Sequence, residues 1–190
     1  MAEPTTQEQR RDERRRRILD AARERADAAG WPAVTTRHLA EAIGYTQPVL
    51  YGHFPGGKSE IMRSVALEGF ADLTRRSRAA LGRKRGRNAI VAVARSYLEF
   101  ADEHPAVYAA MFQQAIDVRF ASEDTDPLLR DGFAVLSDAL GGQDETATEV
   151  FWGALHGLSL LERSGRMRPE HREHRIGELA ARFAATHPGD

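Results

Sequence analysis

The chain has 190 residues, 42% of them hydrophobic, a formal net charge of −1 and no cysteine. That length carries one compact unit or a small domain joined to a larger one, and the missing thiols exclude a disulfide framework and a thiolate zinc site. No apolar run reaches the length of a membrane span, and the N-terminal MAEPTTQEQRRDERRRR lacks the apolar stretch of a secretory signal, so a cytoplasmic protein with no membrane partner is expected.

Ala, Leu, Arg and Glu dominate, and no alternating β-branched run of strand length occurs. An all-α fold of about nine helices is therefore expected. The first helix runs roughly from Arg11 to Ala29, with Ile18, Leu19, Ala22 and Ala26 as its apolar stripe and Gly30 as its stop. Thr35 or Thr36 N-caps a second helix that continues through Ile43 and ends at Gly44. Thr46 N-caps a third, Gln47 to about His53, whose Pro48 falls in the first turn, where its missing N–H costs nothing. A long helix from Lys58 or Ser59 to Leu81 follows, then the basic connector Gly82 to Gly86, a helix from Arg87 to Glu103 ended by Pro105, and a short helix around Ala106 to Gln114. After an acidic loop, Ser122 to Asp126, come a helix through Leu140, a break at Gly141-Gly142, a long helix from about Asp144 to Ser164 and a last one from about Glu170 to His187. Near Lys58 the character shifts from short polar helices to longer ones carrying Phe, Met, Tyr and Trp. This divides the chain into 1–57 and 58–190.

Residues 35–54, TTRHLAEAIGYTQPVLYGHF, place two short helices about the Gly44-Tyr45-Thr46 turn, the pattern of a helix-turn-helix. In that device the N-terminal end of the second helix enters the DNA major groove. Gln47 suits bidentate pairing with adenine, Arg37 with guanine, and the Pro48 ring suits a thymine methyl. Tyr51 and His53 are spaced to donate to phosphates, and Leu39, Ala40, Ile43 and Leu50 form the inner face. Arg14 to Arg17 crowd the start of the first helix against its macrodipole, a conflict that nearby phosphates relieve and that Asp12 and Glu13 partly offset. A plain solvated face is the alternative reading of that run.

TTRxLAxxxGxxQPxLYxHxxxxK resembles the DNA-reading head of the tetracycline-repressor (TetR) family over roughly Arg14 to Met62. The resemblance implies base contacts for Arg37, Gln47 and Pro48 and phosphate contacts for Thr36, Tyr51, His53 and Lys58, with Thr46 in the same DNA-facing set. Gly52 stands where a bulky aromatic is found in the repressor that names the family, Val49 where Thr is found, and the Pro55-Gly56-Gly57 loop is one residue longer. Sequence preference is therefore not carried over. Farther on, Trp152-Gly-Ala-Leu-His156-Gly157 resembles a family subset with a Trp…His-Gly effector domain.

In the last two long helices Val150, Phe151, Ala154, Leu155, Leu158 and Leu161 form one apolar band, and Ile176, Leu179, Ala180 and Phe183 another. From these a two-fold four-helix dimer interface is expected, with Phe151, Leu155, Leu158, Ile176, Leu179 and Phe183 at its centre. One band must also face its own subunit. Gly153 and Gly157 lie one turn apart and bare one ridge, for which close helix packing is the simple reason. Between Met62 and Phe133 the bulky side chains Phe70, Tyr97, Phe100, Tyr108, Met111, Phe112 and Phe120 suit a pocket for a small, mainly apolar effector, with Tyr97, Tyr108, Gln113, Gln114 and His156 to orient it. His156 reads as a hydrogen-bonded packing residue before a metal ligand, and Glu170, His171, Glu173 and His174 as a charged helix start. The sequence shows no Gly-rich phosphate loop ending in Lys-Ser/Thr, nucleophile elbow or paired carboxylates in an apolar setting, so no enzyme, cofactor or metal is expected.

The expectation is an all-α homodimer with a helix-turn-helix DNA-binding domain, 1–57, and a ligand-binding and dimerisation domain, 58–190. Its role would be that of a one-component repressor released from a palindromic operator by a small hydrophobic ligand. An architectural DNA-binding protein without a ligand and a small helical carrier or enzyme are the alternatives.

Overall fold

The computed structural model describes residues 6–112, 127–142 and 145–184. Among them lie nine α-helices and no strand: α1 Thr6–Ala29, α2 Thr36–Ala42, α3 Gln47–His53, α4 Gly57–Leu81, α5 Gly86–Glu103, α6 Pro105–Phe112, α7 Pro127–Ala139, α8 Glu145–Arg163 and α9 Arg172–Ala184. Single 3₁₀ turns occupy Trp31–Ala33 and Pro169–His171. The second of these replaces the expected start of the last helix at Glu170. Gly30 and Gly44 follow α1 and α2 with φ of 77° and 73°, a region open to glycine at no steric cost. Gln113, Gln114 and Phe120 lie outside the described residues.

The chain divides into two compact units, residues 1–69 with 105–117, and residues 70–104 with 118–190. This division differs from a cut at Lys58 because the first part of α4 packs with the N-terminal helices: Ile61, Val65 and Ala66 are fully buried. It also assigns α6 to the first unit. There Trp31 Nε1 donates to the Ala106 carbonyl at 2.8 Å, and the Ala106 N–H donates to Asp27 Oδ1 at 3.0 Å. The α6 N-terminus thus gains a carboxylate partner, which its macrodipole favours. Helix α6 also lies close against α4 at Gly69: a Cβ added there would fall 2.5 Å from Val107 Cγ1 and 2.7 Å from Met111 Sδ. Only glycine permits that approach.

In the second unit α5 is central and packs against α7, α8 and α9. Ile90, Val93, Ala94, Tyr97, Leu98, Phe100 and Ala101 are all buried along it. The inner stripe of α8 is Thr148, Phe151, Leu155 and Ser159, and that of α9 is Ile176 and Ala180. Ion pairs bind α9 to its neighbours. Arg175 Nη2 lies 2.6 Å from Glu162 Oε1, Arg95 Nη2 lies 2.5 Å from Glu173 Oε2, and Arg172 pairs with Asp102. The hydrogen bond from Arg95 holds the Glu173 carboxyl below its ordinary range.

Gly69 and Gly52 predict opposite outcomes for one substitution. Gly69→Ala forces the β-branched Val107 to shift and should destabilise the protein by about 1–3 kcal/mol. Gly52→Ala meets open space in helical backbone and should stabilise it by about 0.5–1 kcal/mol. Urea unfolding of both variants checks the contrast.

Candidate nucleic-acid interface

Helices α2 and α3 have only seven residues each, too few to stand alone. Their inner faces anchor them: Leu39, Ala40, Ile43, Leu50 and Phe54 are buried together with Ile18, Leu19 and Ala22 of α1. Thr35 caps α2 by accepting the His38 N–H at 3.2 Å. Thr46 stands at the N-cap of α3 without the side-chain cap bond expected of it. Its backbone carbonyl instead accepts from Val49 and Leu50, and the exposed hydroxyl remains available to another partner.

The carbonyls at the other ends of these helices meet arginines from α1. Arg15 Nη1 donates to the His53 carbonyl at 3.3 Å, and Arg17 Nη2 donates to the Ile43 carbonyl at 3.0 Å. Arg15 also donates to Ser64 Oγ at 3.0 Å and lies 4.2 Å above the Phe54 ring, while Arg14 and Arg17 flank the ring of Tyr45. Cations are favoured at helix C-termini by the macrodipole and by the unpaired carbonyls there. Part of the arginine run therefore holds the head together, a role that neither reading of the run anticipated.

Against this scaffold Arg37, Thr46, Gln47, Pro48 and Tyr51 are exposed, and Thr36 and His53 are partly exposed. Gln47 opens α3, and Pro48 follows it in the first turn. Tyr51 keeps 44% of its surface exposed. Its ring packs beside Gly57 at the start of α4: a Cβ on Gly57 would fall 3.3 Å from Tyr51 Cε1, 3.7 Å from Thr36 Cγ2 and 3.8 Å from the Tyr51 hydroxyl. The Thr36 and Tyr51 side chains thus both border Gly57, the first residue of a 25-residue helix. Glu60 accepts the Gly56 N–H at 2.8 Å beside it. Burial, followed by the charges of Arg14, Arg11 and Arg15, holds His53 below the ordinary histidine pKa, so near pH 7 its ring is a neutral donor. Lys58 departs from the exposed set: its ammonium donates to the Trp31 carbonyl at 2.6 Å and is partly buried.

The candidate effector residues divide between the units. Tyr108 and Met111 are buried in the first, where Tyr108 and Phe112 rings lie 4.8 Å apart. Phe70, Tyr97 and Phe100 are buried in the second, and His156 there is half-buried, its pKa lowered by burial. The Tyr97 hydroxyl accepts from Trp152 Nε1 at 3.3 Å. The candidate interface residues divide as well. Phe151, Leu155 and Ile176 are 0% exposed within the single chain. They are subunit core, which corrects their assignment to a dimer interface. Phe183 lies edge-on to Phe151, 5.1 Å between ring centroids. Leu158 and Leu179 line a groove of about 410 Å³ with Ala154, Gly157 and Leu161, rimmed by His174, Arg175, Glu178 and Arg182. Among the described residues a Cβ on Gly153 or Gly157 would meet nothing within 4 Å, so packing against them does not account for the bared ridge.

An apolar-backed pair of short helices with an outward Arg, Gln, Pro and Tyr set defines a helix-turn-helix DNA-binding head. Residues 18–65 match the family described as bacterial regulatory proteins, tetR family, and residues 90–186 match the tetracyclin repressor-like C-terminal domain. The chain belongs to the TetR family of transcriptional regulators. It is 30% identical over 177 residues to the uncharacterized HTH-type transcriptional regulator Rv0681 of Mycobacterium tuberculosis, covering 90% of this chain and 80% of that one. It is 28% identical over 151 residues to the uncharacterized HTH-type transcriptional regulator YobS of Bacillus subtilis, covering 76% of each. The crystal structure of the putative regulatory protein SCO4313 shares the fold at a TM-score of 0.75 and 21% identity, covering 95% of this chain and 100% of that one. The Trp152…His156-Gly157 resemblance to a narrower subset has no counterpart in these descriptions.

Removing the Arg15 guanidinium strips the last turn of α3 of its carbonyl partner and uncovers Phe54. Arg15→Ala should therefore destabilise the protein by about 2 kcal/mol, whereas Arg16→Ala, on an exposed position, should change stability by less than about 0.5 kcal/mol. Thermal unfolding of the two variants distinguishes them.

Proposed function

We propose that the protein is a dimeric repressor that reads an inverted-repeat operator and is released by a small hydrophobic effector. The observation that carries the DNA reading is the outward set on α2 and α3. Arg37, Gln47 and Pro48 stand exposed on helices whose opposite faces are buried, and their types pair with guanine, adenine and the thymine methyl. Thr36, Thr46, Tyr51 and His53 supply phosphate donors around them. Lys58 joins them with another of its three donors while one holds Trp31. Either Arg37→Ala or Gln47→Ala should cost about 1–3 kcal/mol on the preferred duplex and relax preference at one base pair. Fluorescence anisotropy with a duplex selected from a random pool checks this, and unchanged affinity and preference would overturn it.

His53 adds a pH dependence. A phosphate partner raises its pKa from the lowered value in the free protein, so binding takes up a proton. The resulting gain in affinity is present at low pH and is lost as pH rises through the bound-state pKa. Between pH 7.5 and 5.5 the wild type should gain affinity and His53→Gln should gain less, measured on the same duplex.

A second copy of the chain is the proposed occupant of the groove between α8 and α9. Val150, 59% exposed, and the bared Gly153–Gly157 ridge let a partner helix approach closely, and an isologous contact matches an inverted repeat. Leu158→Arg should yield monomers with weakened operator binding, observed by sedimentation. A wild type that is monomeric at micromolar concentration contradicts the dimer. For the effector, Phe70, Tyr97, Phe100 and His156 of the second unit are the proposed lining there, aromatic with a few polar atoms. Release follows from linkage: an effector that binds better to the form with low operator affinity shifts the population toward it.

A further inference from the structure

Between Asp27 and Glu60 the sequence contains one acidic residue, Glu41. It lies on α2, with its side chain 58% exposed, beside the side chain expected to read a base. Arg37 Nε donates to Glu41 Oε1 at 2.9 Å. Among the described residues no partner engages the two terminal nitrogens of Arg37. Helix stability is a poor reason for a carboxylate at this position. It occupies the next-to-last residue of α2, where the macrodipole disfavours an anion. The order Arg then Glu four residues later is also the weaker orientation of such a pair. Facing a polyanion, the carboxylate costs affinity for every duplex alike.

We infer that Glu41 is a specificity-determining residue of the DNA-reading face: it positions the Arg37 guanidinium for one guanine and suppresses binding to duplexes that lack it. The inference rests on Arg37 being a base reader. With Nε held by Glu41, the Nη1 and Nη2 end of the fork remains open, and two parallel donors match guanine N7 and O6. Holding the side chain before DNA arrives reduces the ordering cost of the correct complex. Neutralising its charge removes one cation from the sequence-independent attraction to phosphates. Both effects widen the gap between the correct duplex and the rest.

The test uses a duplex selected from a random pool by the wild-type protein, its three single-base variants at the pair most weakened by Arg37→Ala, and an unrelated duplex of equal length. Affinities are measured across a salt series. Glu41→Ala should bind the unrelated duplex several-fold more tightly, with a salt slope steeper by about one unit. It should also discriminate three- to ten-fold less at the Arg37 base pair. Glu41→Gln, which keeps an oxygen for Nε and removes the charge, should recover discrimination in part while keeping the steeper slope. In the Arg37→Ala background, Glu41→Ala should have no further effect on preference. A purely structural Glu41 would alter melting and leave preference and slope unchanged, and that result overturns the inference. Loss of preference in Arg37→Ala with full retention in Glu41→Ala overturns the inference and leaves Arg37 as the reader. Unchanged preference across all the variants in Arg37→Ala removes the reader itself, and the inference with it.

Discussion

The DNA-reading head depends on how two seven-residue helices end. Each leaves carbonyls at its C-terminus without a helical partner, and neither is long enough to persist unsupported. Arg17 takes the carbonyl at the end of α2, and Arg15 takes the one at the end of α3 while lying over Phe54. Both come from α1, so that helix is the common support for the pair. With their inner faces buried and their ends satisfied, α2 and α3 can leave Arg37, Gln47, Pro48 and Tyr51 outward. In the free protein water satisfies these exposed polar groups, and Glu41 takes Arg37 Nε. The chain belongs to the TetR family of transcriptional regulators, and DNA is the partner proposed for this face.

The second unit follows a different rule. Its helices are longer, and α5 is buried on most sides. Polar attachment is concentrated on α9, where Arg172 and Arg175 meet a Glu162 side chain that is only 10% exposed. Pairs at that depth are costly to break, because the surviving partner keeps its desolvation penalty. They fix the register of α9 on α5 and α8 and so define the groove that Leu158 and Leu179 line. Gly153 and Gly157 give up helix stability of about 1 kcal/mol each relative to Ala without a close neighbour among the described residues. The sequence explained them by packing; the structure moves that explanation outward, to a surface open to another molecule.

Helix order, the Gly30 and Gly44 stops, α3 from Gln47 to His53 and the buried set Leu39, Ala40, Ile43 and Leu50 were legible because each follows from local periodicity or backbone chemistry. Side-chain destinations were less so. Nothing local distinguishes an arginine that faces phosphate from one that caps a helix 26 or 38 residues away, as Arg17 and Arg15 do. Thr46 looked like a cap by type, and its position is one, yet its hydroxyl makes no cap bond. Phe151, Leu155 and Ile176 shared bands with outward residues, and periodicity alone cannot say which edge of a wide apolar stripe meets its own core. The membership of α6 in the first unit rests on Trp31 reaching Ala106, a pairing 75 residues apart that no local pattern encodes. The outward placement of Arg37, Gln47 and Pro48 followed from type and spacing, while the pairing of Arg37 with Glu41 needed the helix in three dimensions.

The N-terminal end of α3 and the Arg37 side chain are proposed to enter the major groove, twice, through two copies of the chain. Dimethyl sulfate interference tests it directly, since methylation at guanine N7 blocks the atom that a major-groove arginine must reach. On a duplex selected by the wild-type protein, interference should fall at guanines in two inverted half-sites, with centres about one helical turn or a multiple of it apart. Binding that is indifferent to N7 methylation, or interference confined to a single unrepeated site, would contradict the account.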